Sequence, residues 1–100
     1  IVVKNFKDDD IDKYIENNKI INIYTDDVEL GKKIFLGIKK AKGDIISFLE
    51  DDDLFMPEKL EFIYEIFKEN KNICYLHNNE YFINETGNDI KFRPLELKKF

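Results

Sequence analysis

The sequence predicts an α/β fold with a mostly parallel sheet, on three observations. Short runs of β-branched and other apolar residues alternate with segments whose apolar residues recur at helical spacing. Only four glycines and two prolines interrupt the 100 residues, so short connections are expected. Residues 44–49 are almost entirely apolar, which is typical of a strand covered on both faces. This alternation favours helices packed on both sides of a parallel sheet. We expect one domain over residues 1–100.

The first half of the chain follows the pattern strand, helix, strand, helix. Residues 1–3 and 20–24 are rich in Ile and Val and are predicted strands. The helix between them begins after the acidic residues 8–10, which supply a cap and first-turn charges. The second helix is predicted to be capped by Asp26 or Asp27 and to end at Gly43 in a left-handed conformation. Its apolar stripe consists of Ile34, Phe35, Ile38 and Ala41.

The second half begins with the apolar strand at 44–49 and continues with a helix, a strand and a hairpin. Pro57 is predicted to open the helix at its first position, and apolar residues then recur at i, i+3, i+4 and i+7. Residues 73–76 are a predicted strand. The hairpin would place residues 81–83 and 90–92 on either side of the turn 85–88.

An acidic quartet, Glu50-Asp51-Asp52-Asp53, directly follows the predicted strand at 44–49. Ligands of open α/β sheets bind beyond the carboxyl ends of the strands, where this quartet lies. Four adjacent carboxylates repel one another, and Mg²⁺ or Mn²⁺ relieves that repulsion because both prefer oxygen ligands. A metal held by one or two of these carboxylates keeps positions open for a diphosphate. The alternative is that the acids merely cap the helix at Pro57 and face water.

Composition narrows the class of partner. The net charge of −5 argues against nucleic acid, whose binding depends on Lys and Arg. The single cysteine, Cys74, cannot form an internal disulfide, and no apolar run reaches the roughly 18–20 residues of a membrane span. We therefore expect a cytoplasmic protein without a membrane span in this chain.

Residues 41–61, AKGDIISFLEDDDLFMPEKLE, resemble the core of family-2 glycosyltransferases. Those enzymes carry a pattern close to A-K-G-(D/E)-hydrophobic-x-F-L-D-x-D-D-x-aromatic-x-P-x-K-L-E. Weaker similarity extends over residues 1–93, including Gly31, Gly37 and Gly87. The resemblance implies a GT-A, Rossmann-like sandwich that is incomplete at both ends, with this chain as its donor-binding portion. It further implies transfer of a sugar from a nucleotide-diphosphate donor to an acceptor, with inversion at the anomeric carbon.

The resemblance also assigns site residues. The D-x-D-type motif falls on Glu50, Asp51 and Asp52, which are expected to bind the nucleotide sugar. Asp52 is expected to coordinate Mn²⁺ or Mg²⁺, and Glu50 to face the ribose or the metal shell. Glu50 replaces the usual first Asp, so its carboxylate reaches about one methylene further. Asp53 is expected to be an outer-shell or capping acid. The resemblance implies that the general base lies beyond the end of this chain, so no residue is assigned that role.

Two positions depart from the family pattern. The acidic residue that reads the base after the early strand is replaced by Lys4 or Asn5, and Asn5 is expected to hydrogen-bond the base. The Arg-Asn pair of the helix before the third strand is absent. Lys32 or Lys33 is the candidate replacement as a phosphate contact.

Two alternatives to this function stay open at the level of sequence. One is a glycosyltransferase-like module that binds a nucleotide sugar without catalysis. The other is a two-component receiver domain, because Asp53-Leu54-Phe55-Met56-Pro57 resembles the D-x-x-M-P segment around a phosphorylated aspartate. The receiver pattern needs early acids directly after a strand, but residues 4–7 separate Asp8 to Asp10 from theirs. It also needs a lysine adjacent to a proline, and residues 91–94 do not supply one.

Overall fold

A computed structural model of the protein describes residues 1–88. The chain divides into two compact units, Ile1–Phe55 and Met56–Phe100, the second described up to residue 88. The first unit contains two strands and two helices in alternation, and the described part of the second unit contains one helix. In chain order the elements are β1 (Val2–Lys4), α1 (Asp9–Asn17), β2 (Asn22–Tyr24), α2 (Leu30–Lys40) and α3 (Lys59–Glu69).

The two strands form a parallel pair, as the alternating pattern predicts. Val3 lies opposite Ile23 in the register, and the ladder continues one residue beyond β2, where the Thr25 N–H donates to the Lys4 carbonyl at 3.0 Å. On one face, α2 packs against β1: a Cβ added at Gly37 would lie 3.6 Å from a Val3 methyl group. Neighbouring residues of a strand point to opposite faces. Lys4 therefore faces α1, and the sheet has a helix on each side.

Helix α1 has well-formed ends. Its N-cap, Asp8, accepts a hydrogen bond from the Ile11 N–H at 3.0 Å, which confirms the predicted acidic cap. At the other end Lys19 has φ of 54° and donates to the Glu16 carbonyl, while the Ile20 N–H donates to the Ile15 carbonyl. These two bonds are those of a Schellman motif, with a lysine at the left-handed position. Ile15, which is 4% exposed, is the apolar residue that α1 buries.

Helix α2 differs from its prediction at both ends. It begins at Leu30 after the N-cap Glu29, so the predicted caps Asp26 and Asp27 were wrong. Asp27 is held in the preceding loop, because its N–H donates to Thr25 Oγ1 and its carboxylate accepts from the same hydroxyl, both at 3.2 Å. The left-handed end at Gly43 was also wrong. The C-cap is Ala41, in an extended conformation.

Helix α3 begins two residues after its predicted start. Pro57 lies in a turn closed by the Lys59 N–H, which donates to the Met56 carbonyl at 3.0 Å. The C-cap is Asn70, whose side-chain amide donates to the Ile66 carbonyl at 2.9 Å. Within residues 1–88 no helix is both long and apolar enough to span a bilayer.

The predicted strands at 44–49 and 73–76 were wrong, since both segments lack regular secondary structure. A strand exists only when its backbone groups bond to a neighbour. No backbone hydrogen bond links residues 44–49 to another described residue. Their apolar side chains are correspondingly exposed, with Phe48 at 56% and Leu49 at 55%. High β-propensity was therefore insufficient without a pairing partner.

The predicted hairpin turn is present as a closed loop at residues 84–88. The Asn84 carboxamide oxygen accepts from the Thr86 N–H, the Thr86 hydroxyl and the Asn88 N–H at 2.7–3.0 Å. Gly87 has φ of 82°, a left-handed conformation that glycine adopts without steric cost. The predicted return strand at 90–92 lies outside the described residues.

Candidate functional site

Polar residues follow both strands at the carboxyl edge of the sheet. Asn5 comes directly after β1, and Thr25 comes directly after β2. Because β1 and β2 are parallel, their carboxyl ends meet at one edge, where α/β sheets bind ligands. Helix α2 adds Lys33 to the same edge, since the Lys33 ammonium donates to Asn5 Oδ1 at 2.8 Å.

The structure distinguishes the two candidates for the base-binding position. The Lys4 ammonium is 2.8 Å from Asp12 Oδ1, donates to the Phe6 carbonyl at 2.8 Å and lies 5.1 Å from the centre of the Phe6 ring. Its side chain is 4% exposed. Lys4 is thus enclosed on the α1 side of the sheet. Asn5 is half-buried and keeps its amide NH₂ without a hydrogen-bond partner among residues 1–88. Of the two, Asn5 is the residue able to meet a ligand.

The two candidate phosphate-binding lysines are also in different environments. Lys32 is near two carboxylates, at 3.3 Å from Asp27 and 3.6 Å from Glu29. Lys33 contacts the neutral Asn5 carboxamide, and no carboxylate of the described chain lies within ion-pair distance of it. The charge of Lys32 is therefore compensated locally, whereas that of Lys33 is not.

Two ionisable groups close to this edge have shifted pKa values. The hydrogen bond from Lys4, with a second from Asn22, holds the pKa of Asp12 below its ordinary value of 3.8. The hydroxyl of Tyr24 donates to Asp26 at 3.0 Å, and this bond, with the Asp26 charge, raises the pKa of Tyr24 above 10.0. Both groups are accordingly fixed in their usual charge states at neutral pH.

The acidic quartet forms an exposed turn. The Asp53 N–H donates to the Glu50 carbonyl at 3.2 Å, so Asp51 and Asp52 occupy the corner of the turn. None of the four side chains makes a hydrogen bond or ion pair with another residue in the range 1–88. Nor do three His, Cys, Asp or Glu side chains converge anywhere in that range. The turn thus offers unneutralised carboxylates without a ready-made three-ligand cage.

The structure joins only part of the predicted site. It connects Asn5 with Lys33, two residues that are 28 positions apart in the sequence. No hydrogen bond or ion pair between described residues links Asn5 with the turn at 50–53. From the sequence, Lys33 was one of two candidates. Lys32 and Lys33 have the same side chain, and only their surroundings in the folded protein differ. The receiver alternative loses its early acids, since Asp8 caps α1.

A family model and several known proteins match this chain. The model of "Glycosyl transferase family 2" matches residues 1–99. An uncharacterized glycosyltransferase of Methanocaldococcus jannaschii is 31% identical over 91 residues, which cover 88% of this chain and 31% of that protein. Another, of Haemophilus influenzae, is 42% identical over 43 residues, or 43% of this chain and 15% of that protein. A third, of Rickettsia conorii, is 43% identical over 56 residues, which cover 56% of this chain and 9% of that protein.

The chain therefore spans less than a third of the length of each of these relatives. No solved structure matches it with statistical significance. The family match extends over nearly all of the chain and includes both the acidic turn and the carboxyl edge of the sheet. The chain belongs to glycosyl transferase family 2.

Proposed function

We propose that the protein transfers a sugar from a nucleotide-diphosphate donor to an acceptor, and that this chain binds the donor. Family membership supports the reaction class. The observation that carries the donor-binding role is the exposed turn at Glu50–Asp53, whose carboxylates have no partner in the described part of the chain. Four uncompensated negative charges are costly beside a diphosphate unless a cation lies between them. The proposal therefore includes a divalent metal.

The donor set of the turn fits Mn²⁺ or Mg²⁺. It offers only carboxylate oxygens, which these ions prefer, and it is open to solvent. Asp52 and Glu50 would hold the ion, with the remaining positions left to water and the donor's phosphates. When bound, such an ion supplies Lewis-acid neutralisation of charge on the departing nucleoside diphosphate.

The other site residues have distinct tasks in this proposal. Asn5 uses its unpartnered amide NH₂ to hydrogen-bond the base. Asp51, at the corner of the turn, and Glu50 contact the donor beside the metal. Inversion at the anomeric carbon is part of the proposal because the family resemblance implies it. The proposal also includes a reducing, cytoplasmic setting, which the single exposed Cys74 supports.

Calorimetric titration with UDP and GDP, each with and without Mn²⁺, tests the proposal. We expect binding only with the metal. Asp52→Asn, which keeps the size of the side chain and removes its charge, should weaken that binding by at least about 100-fold, because a metal ligand matters more than an outer-shell residue. Asp53→Asn makes the same change at the expected outer-shell acid and should weaken binding less, by no more than about tenfold. Metal-independent binding, or equal effects of the two variants, would contradict the metal assignment.

A further inference from the structure

The ammonium of Lys33 is a positive charge held at the carboxyl edge of the sheet by a neutral partner. An ammonium has three donors. One goes to Asn5 Oδ1 at 2.8 Å, and none of the described residues accepts either of the other two. The side chain is half-buried, so its charge is less screened than that of an exposed lysine. Lys33 therefore presents a directed cation whose charge no carboxylate of residues 1–88 offsets.

The adjacent Lys32 provides a comparison in the same helix turn, because nearby carboxylates compensate its positive charge. Its ammonium has Asp27 at 3.3 Å and Glu29 at 3.6 Å, and its side chain is 56% exposed. An anionic ligand approaching Lys32 would meet two carboxylates first. Among residues 1–88, the hydrogen-bond partner of the Lys33 ammonium is the neutral Asn5 carboxamide, and no carboxylate forms an ion pair with it.

Asn5 is suited to hold a cation without neutralising it. Its two faces have different chemistry, because the carboxamide oxygen accepts and the NH₂ group donates. Contact with an ammonium fixes the oxygen toward Lys33, so the NH₂ group points away from it. An aspartate in this place would have the same shape but would cancel the charge of Lys33.

From these contacts we infer that Lys33 binds a phosphate of the nucleotide donor and that Asn5 positions it there by the hydrogen bond to Oδ1. The inference rests on the proposed function and adds to it a specific cation besides the metal. A charge-assisted contact to phosphate is stronger than one between neutral groups. Lys33 and the metal at the acidic turn would thus share the neutralisation of the diphosphate, and Asn5 would link the phosphate contact to the base contact.

The test compares matched variants on the full chain with Mn²⁺ present. Uridine, UMP and UDP are titrated into the wild type, Lys33→Met, Lys32→Met and Asn5→Asp. Lys33→Met should weaken UDP binding by about tenfold or more and leave uridine binding nearly unchanged. Lys32→Met, with the same loss of charge one residue away, should have little effect on either ligand. Asn5→Asp places a carboxylate beside Lys33 and also removes the NH₂ group proposed to bind the base, so UDP affinity should fall by about tenfold more than uridine affinity.

The possible outcomes separate this inference from the function on which it rests. Equal losses for uridine and UDP in Lys33→Met would assign Lys33 to the base and overturn the phosphate contact. Equal effects of Lys32→Met and Lys33→Met would mean that both lysines act only through the net charge of the protein. That result would also overturn the phosphate contact. Unchanged UDP affinity in Asn5→Asp would overturn the role of the neutral partner. A wild-type chain that binds no nucleotide with any metal would instead overturn the proposed function, and this inference with it. Circular dichroism of each variant excludes unfolding as the cause of a loss.

Discussion

The ammonium of Lys4 lies 2.8 Å from Oδ1 of Asp12, joining the end of β1 to α1 through a lysine side chain that is only 4% exposed. The Phe6 carbonyl accepts a second hydrogen bond from the same ammonium. Family-2 glycosyltransferases resembled by this chain have an acidic residue at the position shared here by Lys4 and Asn5. The contacts explain how a lysine is accommodated. Its side chain turns toward α1, whereas Asn5 lies at the carboxyl edge of the sheet beside Lys33.

This pair predicts a specific dependence of stability on pH. The hydrogen bond from Lys4 lowers the pKa of Asp12 in the folded protein below 3.8. Below that value the unfolded chain binds more protons than the folded one, so the contribution of Asp12 is complete well above pH 3.8 and is lost as the pH falls through the lower folded pKa. Urea unfolding between pH 7 and pH 2.5 measures it. Asp12→Asn should flatten the profile, and parallel profiles for the two proteins would contradict the linkage.

Substitutions of Lys4 should separate its charge from its packing. Lys4→Met removes the ammonium and keeps a long apolar side chain, while Asp12 stays 36% exposed and can be hydrated. Lys4→Ala also removes the buried stem and leaves a cavity. We expect Lys4→Ala to be less stable than Lys4→Met by about 2 kcal/mol in the free energy of unfolding. Equal stabilities would mean that the stem contributes nothing to packing.

The left-handed backbone conformation of Lys19 after α1 leads us to expect that glycine at this position stabilises the protein. Lys19 has φ of 54°, a conformation that costs a residue with a Cβ roughly 1–2 kcal/mol. Glycine avoids this cost but adds entropy to the unfolded chain, so we expect Lys19→Gly to raise the free energy of unfolding by about 0.5–1 kcal/mol. Lys13→Gly, the same exchange inside α1, should lower it by about 1 kcal/mol. Thermal or urea unfolding of both variants checks the opposite signs.

Gly37 predicts a narrow tolerance for size between α2 and β1. A Cβ at this position would lie 3.6 Å from a Val3 methyl group, which is an ordinary contact distance. Gly37→Ala should therefore stabilise the helix by about 0.5–1 kcal/mol. Gly37→Leu would press further atoms toward the strand and should cost about 1–3 kcal/mol. If both variants were stabilised in urea unfolding, α2 would not pack on β1 through this residue.

At the acidic turn, we expect the charge of the Glu50 side chain to matter more than its length for metal-dependent nucleotide binding. Glu50→Asp shortens the side chain by one methylene and keeps the carboxylate, whereas Glu50→Gln keeps the length and removes the charge. We expect Mn²⁺-dependent GDP or UDP binding to stay within about threefold in the first and to weaken by about tenfold in the second. The same calorimetric titration measures both. Equal affinity of wild type and Glu50→Gln would exclude Glu50 from the metal shell.

Local features of the structure followed from local sequence signals. The helical spacing around Ile15, the acidic cap at Asp8 and the glycine turn at Gly87 each act within a few residues, and each is present. Features that depend on distant partners did not follow. The apolar residues 44–49 have the composition of a strand, but pairing decides whether they become one. One local signal also failed: Asp26 and Asp27 resemble helix caps, but a hydrogen bond to the nearby Thr25 holds Asp27 in the loop.

The candidate site likewise combines features visible in the sequence with features visible only in the structure. The position, residue types and family of the acidic turn were determined by the sequence alone, because a long run of matching residues surrounds Glu50 to Asp53. The different surroundings of Lys4 and Asn5, and of Lys32 and Lys33, are apparent only in the tertiary structure. Members of each pair are adjacent in the chain. They differ in which face of β1 or α2 they occupy and in which charges they meet there, and those contacts exist only once the strands and helices have packed.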